Sequence, residues 1–340
     1  MLKRLKKIGD RIVYVSTHLP LYQFIFKSFL LLLPCVLCLG YVEYRLSTMS
    51  VSYSQKKHEL ESQLKKIEVL VIGSSNAYYG INPHFFSKKG FNLAYRGQWP
   101  YYDWKFIQKY INLMPNLKLV IFSANYFTLG THPLKHAEDW RIYFYAQYHR
   151  ILPPQEGTVL GFRHSFDPKL FSKIALFGEK TKYYLENGST QVDAGEPSED
   201  MTGWFNAGTK PCDLTLNIGS SGAAAHNASV NPSNFQMNLS WVAKIAKKVR
   251  EKNIKLVILE LPESHYYTDN LDPNKTALME ESIQNFAKLN KATFITYLND
   301  ARFDLKDYTD MPDHLNAVGA EKISRIIDHD IIVPVMKVSA

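Results

Sequence analysis

The strongest constraint in this chain is a set of short, unbroken apolar runs separated by stretches of helical periodicity. E-V-L-V-I at 68–72, L-K-L-V-I-F at 117–122 and I-K-L-V-I-L-E-L at 254–261 lack the in-out alternation of a half-exposed strand. Such runs suit strands buried on both faces, as in a parallel sheet covered by helices on each side. Weaker runs at 91–94 and 293–298 bring the set to five. Between them, 101–114 places Trp104, Ile107, Ile111 and Met114 on one helical side. Further helices are expected at 234–252 (with Ser233 as N-cap), 277–289 and 317–327. The alternation predicts a three-layer α/β/α domain whose functional loops follow the carboxyl ends of the strands.

A second feature sits upstream. Residues 19–44 are almost wholly apolar, and 29–42 carry no charge. At a rise of ~1.5 Å per residue, roughly 20 helical residues cross a ~30 Å hydrocarbon layer. Tyr22, Tyr41 and Tyr44 suit its interfaces, and Lys27 would snorkel. A cleaved signal peptide would look similar, but the run is long for one and no clean small-x-small site follows it. The expectation is an uncleaved single-pass anchor at 19–44. Lys3, Arg4, Lys6, Lys7 and Arg11 form a basic cytoplasmic tail over 1–18, and the rest of the chain is extracytoplasmic, on the inner or cytoplasmic membrane. Leu60, Leu64 and Ile67 then recur among charged residues, so 45–67 reads as a helical stalk or as an amphipathic helix packed on the domain.

The domain itself spans 68–335, with an insertion at about 126–233 that breaks the strand-helix rhythm. It is too long for a simple loop. Its early aromatics, Trp140 to Tyr148, suit packing more than sugar stacking. Its later E-N-G-S-T-Q-V-D-A-G-E and N-I-G-S-S-G-A-A-A-H-N stretches read as a mobile polar segment. The net charge of +8 is concentrated partly in the N-terminal cluster, and no nucleic-acid motif accompanies it, so nucleic acid is not an expected partner. Three cysteines, two of them inside the apolar run, make neither a disulfide framework nor a zinc site. No metal or cofactor motif is present.

Four strand ends carry candidate chemistry. After the first strand, V-I-G-S-S-N-A-Y-Y-G puts Ser75 on a Gly-led turn into a helix, where backbone N–H groups stabilise negative charge. After the second, A-Y-R-G-Q offers Gly97, whose N–H is unobstructed, with Arg96 and Gln98 beside it as substrate contacts. After the third, F-S-A-N-Y supplies Asn125, whose amide can reach across toward Ser75. Near the end, Y-T-D-M-P-D-H-L-N-A-V-G places His314 before the last helix with Asp310 and Asp313 close by. An acid near a His can hold its tautomer and stabilise its cation. Either Asp serves, with Asp310 preferred because adjacent side chains usually diverge. His265, after the fourth strand, is a further substrate contact.

Taken in order, Ser75, Gly97, Asn125 and His314 resemble the blocks of the SGNH or GDSL-like serine hydrolases. The resemblance covers roughly 68–327 apart from the insertion. It departs at Gly73-Ser74-Ser75, where the familiar form is Gly-Asp-Ser, and at Met311, where the familiar acid stands. It implies a flavodoxin-like sheet, a Ser75 nucleophile, a His314 base, and an oxyanion hole from the Ser75 and Gly97 N–H groups with the Asn125 side chain. The anchor, the Gly-Ser-Ser start and the D-H-L-N-x-x-G-A ending are similar to envelope members: the D-alanyl transfer proteins of teichoic acid synthesis and the polysaccharide O-acetylation proteins. They imply an esterase or O-acyltransferase acting on a cell-envelope glycan or lipid, with a multi-pass membrane acyltransferase as partner. An inactive, glycan-binding or scaffolding domain is the alternative.

Overall fold

The computed structural model describes residues 2–49, 51–132, 140–154, 167–187 and 201–338. These form two compact units, Met1–Met49 with Phe171–Ser189, and the remainder.

The first unit is built on one helix, Leu2–Ser47. Its Leu21–Ser47 portion is long and apolar enough to cross a membrane, and its most apolar window has no buried residue. Near its end the Glu43 carboxylate accepts the Ser172 hydroxyl at 3.0 Å, the Ile174 N–H at 3.1 Å and the Lys173 N–H. It thereby caps the Lys173–Phe177 helix, whose first-turn amides lack intrahelical partners.

The second unit is the α/β domain. Strands β1 (Val69–Gly73), β2 (Gly90–Asn92), β3 (Leu119–Ser123), β4 (Lys255–Glu260) and β5 (Thr293–Thr296) form one parallel sheet in the order β2-β1-β3-β4-β5. That is the flavodoxin-like order, with its topological switch between β1 and β3. β1 and β3 are buried at every position, which explains their unbroken apolar character. Val69, Val71, Leu119, Ile121, Val257 and Leu259 face a core that includes Tyr78, Ile323 and Ile327. The alternate residues Leu70, Ile72, Val120 and Phe122 are equally buried on the opposite face. There the helices Pro100–Tyr110 and Ser233–Glu251 pack on each other and on the sheet. The second of these helices is not capped by Ser233. Asn231 Oδ1 accepts the Ser233 N–H at 3.0 Å and the Ser233 hydroxyl at 2.9 Å.

Within residues 45–67, the Ser52–Gln63 helix packs against the α/β domain. Tyr53 and Leu60 are fully buried. Lys56 lies between the rings of Tyr78 and Tyr95, 4.4 Å from each centroid, and donates to the Ala94 carbonyl. The early aromatics of the insertion also pack: Tyr145 stacks on Tyr102 at 3.9 Å and meets Tyr53 edge-on. The expected mobile polar segment divides. Most of its first half lies outside the described residues, whereas 217–227 falls largely in a helix, Ile218–Ser229. Its small residues permit close approach, since a Cβ on Gly219 would come within 2.7 Å of the Tyr266 carbonyl.

One buried acid sits under the β1 turn. Asp103 Oδ1 accepts the Gly73 N–H at 3.0 Å and the Gln98 amide at 2.6 Å, while Oδ2 has no partner among the described residues. Burial pushes this carboxyl up from 3.8 to about 7, against the lowering effect of the two hydrogen bonds. The folded chain thus binds a proton that the unfolded chain releases near pH 4. Stability is therefore expected to fall as pH climbs from about 4 to about 7. Asp103→Asn should flatten that part of the slope in denaturant unfolding measured across this range; an unchanged slope would count against the assignment.

Candidate active site

The carboxyl ends of β1, β3 and β4 and the turn before the last helix converge through one side chain, Asn76. It is the second residue of the Ser75–Gly80 helix, just past β1. Its Nδ2 donates to Glu263 Oε1 at 2.9 Å and to the Asp313 carbonyl at 3.0 Å. Its Oδ1 accepts from Asn125 Nδ2. The neighbour of Ser75 is therefore bonded to the neighbour of His314.

The two serines of the turn differ in environment. Ser74 is 1% exposed, and its Oγ accepts the Thr128 hydroxyl at 2.8 Å. Ser75 is half-buried, at the first position of the helix. Gly73 precedes them at φ +132°, and a Cβ there would stand 2.9 Å from the Ser123 carbonyl, so β1 and β3 approach closely only with glycine.

His314 is held on three sides. Its Nδ1 pairs with Asp313 Oδ1 at 2.8 Å. The Tyr79 ring meets it edge-on at 5.2 Å. Its backbone N–H bonds to the Met311 carbonyl. Nε2 is buried and has no hydrogen-bond partner among the described residues; no bond joins it to Ser75 Oγ. Burial alone would raise the Asp313 carboxyl, but the His314 charge and hydrogen bond, with His226 nearby, outweigh it and hold the group below its usual range. Asp310 is elsewhere: its carboxylate accepts from Lys210 at 2.8 Å and from the Asp213 N–H at 3.0 Å. Of the two acids, the structure sets the adjacent Asp313 against His314, whereas Asp310, the preferred one, is paired with the insertion. A turn closed by Thr309 and His314, each bonding within it, lets neighbouring side chains meet.

The remaining expected residues are placed as follows. Asn125 caps the Tyr126–Gly130 helix, its Oδ1 accepting the Thr128 N–H at 2.7 Å. Gly97 is buried in a left-handed turn at φ +57°. Arg96 beside it is half-buried. Gln98 is 1% exposed and its amide is engaged internally, donating to Asp103 and accepting from Tyr145 at 3.0 Å. That engagement leaves it a support of the β1 turn. His265 is exposed, its ring 3.9 Å from that of Tyr266.

No family model and no curated protein matches the chain. Among solved structures, it is similar to a GDSL-like lipase from Bacteroides thetaiotaomicron at 13% identity and a TM-score of 0.39, over 83% of this chain and 99% of that one. It is also similar to a protein from Bacteroides fragilis provisionally described as an acylhydrolase, at 13% identity and a TM-score of 0.40, over 82% and 94%. The fold assignment rests on strand order and register, independently of these likenesses.

Three residues that sequence reasoning passed over belong to this cluster. Asn76 follows Ser75 directly. Glu263 follows β4, and its position at a strand's carboxyl end was the available signal. Burial, then the Asp313 and Glu260 charges, drive its carboxyl well above the usual range. His226, from the insertion, bonds to the Tyr267 hydroxyl at 2.6 Å. Nothing in its local sequence marks it.

Proposed function

We propose that this chain is a membrane-anchored serine esterase or O-acyltransferase of the SGNH type, acting on an extracytoplasmic envelope glycan or lipid. The observation that carries the reading is the state of His314: Nδ1 is fastened by a buried carboxylate and Nε2 is left without a partner. This is what a general base requires. Ser75 Oγ attacks the acyl carbon while its proton passes to Nε2. Asp313 stabilises the resulting imidazolium. Negative charge on the carbonyl oxygen falls to the Ser75 and Gly97 N–H groups and to Asn125 Nδ2, and one such donor is typically worth ~2.7–4 kcal/mol. The leaving alcohol takes the proton back from His314, leaving Ser75 acylated. Water or a sugar hydroxyl then accepts the acyl group, with His314 again removing the proton.

The Leu21–Ser47 helix supports anchoring in a cytoplasmic membrane, with the domain outside and close to a membrane-embedded acyl donor such as a multi-pass acyltransferase. Arg96 and His265 remain substrate-contact candidates. The absence of a Ser75–His314 hydrogen bond favours a second reading, an inactive glycan-binding or scaffolding domain, although such bonds often tighten only around substrate. A chromogenic acetyl ester offered to the full chain in detergent separates the two. The wild type should hydrolyse it, and Ser75→Ala should lose at least about 10³-fold in rate. Equal rates for the two chains would remove Ser75 as nucleophile.

A further inference from the structure

We propose that Glu263 is a positioning residue that sets the oxyanion-binding amide of Asn125 through Asn76. This rests on the esterase reading above and extends it to a residue outside the Ser, Gly, Asn and His stations.

A side-chain amide can be seated in two orientations, and its neighbours decide which one wins. Both protons of Asn76 Nδ2 are taken, one by Glu263 Oε1 and one by the Asp313 carbonyl. Reversing the amide would set its oxygen against the Asp313 carbonyl oxygen and its NH₂ against the NH₂ of Asn125. Asn76 Oδ1 is therefore turned to Asn125 Nδ2. Asn125 is held at both ends, with Oδ1 accepting the Thr128 N–H and Nδ2 donating to Asn76, so a turned Asn76 would pull its Nδ2 out of place. One Nδ2 proton of Asn125 then remains for a substrate oxygen. Glu263 is 7% exposed and bonds to this chain of amides at its far end.

Charge follows the same logic. Burial favours the neutral form of Glu263, and the Asp313 charge adds to that effect. Asp313 is then the carboxylate that balances the imidazolium formed when His314 takes the Ser75 proton. A glutamine at 263 is neutral and keeps an oxygen able to accept from Asn76. An alanine removes the acceptor, frees one Asn76 proton and allows the amide to turn. Because the affected donor acts on charge that develops in the transition state, the loss falls on kcat more than on KM.

The test uses the full chain in detergent with the chromogenic acetyl ester. Glu263→Ala should lower kcat by about 10- to 100-fold with KM changed less than about two-fold, and Glu263→Gln should recover most of that loss. The Glu263→Ala/Asn125→Ala double variant should be no slower than Asn125→Ala, since Glu263 acts through that amide. Glu263→Asp, which keeps an acid but shortens its reach, should resemble the alanine variant and serves in its place if that one does not fold. A kcat within two-fold of wild type for Glu263→Ala or Glu263→Asp, failure of Gln to recover the rate, or multiplying losses in the double variant would each overturn the proposal. Ser75→Ala, assayed alongside, separates the levels. If it is inactive while Glu263 proves dispensable, only this inference fails. If it is fully active, the esterase reading fails first.

Discussion

Asp313→Asn should cost about 10³- to 10⁴-fold in kcat/KM on an acetyl ester, while Asp310→Asn should stay within about two-fold. Asp313 is buried, and its Oδ1 lies 2.8 Å from His314 Nδ1. In the proposed mechanism it fixes which imidazole nitrogen carries the proton and balances the charge the ring acquires. An asparagine preserves shape, but it can present an N–H to Nδ1 and force the proton onto Nε2, where the base must be empty. Asp310 is bonded instead to Lys210 and to the Asp213 N–H at the edge of the insertion, and its loss leaves His314 untouched. The measurement is steady-state kinetics on both variants. A reversed order, with Asp310→Asn the slower enzyme, would reinstate the residue three back from Asp313 as the acid.

Asn316→Ala should destabilise the fold by about 3–5 kcal/mol in denaturant unfolding, one of the largest single-residue effects outside the core. Asn316 is fully buried. Its Nδ2 donates to the carbonyls of Lys306 at 2.7 Å, Tyr308 at 3.1 Å and Lys210 at 3.3 Å. Its Oδ1 caps the Ala317–Ile327 helix by accepting from Val318 at 2.9 Å and Gly319 at 3.1 Å. Alanine strands three carbonyls and two amides at once, and a buried polar group without a partner costs about 1–3 kcal/mol. The turn it organises is the one that presents His314, so activity should fall with stability. Asn316→Asp retains the cap but not the donors and should lie between the two. Loss of less than about 1 kcal/mol for the alanine variant would show that water replaces these bonds.

The five strands were legible because burial on both faces leaves an unmistakable mark, an apolar run with no alternation. The places of Ser75, Asn125 and His314 in the fold were legible because each sits within a few residues of a strand end or a helix start, a relation that chain order expresses directly. The acid beside His314 was not. Asp310 and Asp313 differ by three positions, and the turn that joins Asp313 to His314 while sending Asp310 to Lys210 depends on the insertion supplying that lysine. The 217–227 stretch misled for a related reason. Gly and Ser in isolation signal a loop, but here their lack of bulk lets a helix approach Tyr266. Gln98 lay beside a promising glycine yet turned inward, because Asp103 and Tyr145 offered it buried partners.

Sequence alone therefore determined the layered parallel sheet, the apolar N-terminal helix and the order of the site's stations, all properties carried by local composition and spacing. Tertiary structure decided which carboxylate pairs with His314, that Asn76 ties the strand ends together, and that the buried Glu263 stands behind them. Those depend on side chains from segments as many as 237 residues apart reaching hydrogen-bond distance in a water-poor interior, where each polar group must find a partner and each charge a counterion. No local pattern encodes such a meeting, because it is set by how the whole sheet packs.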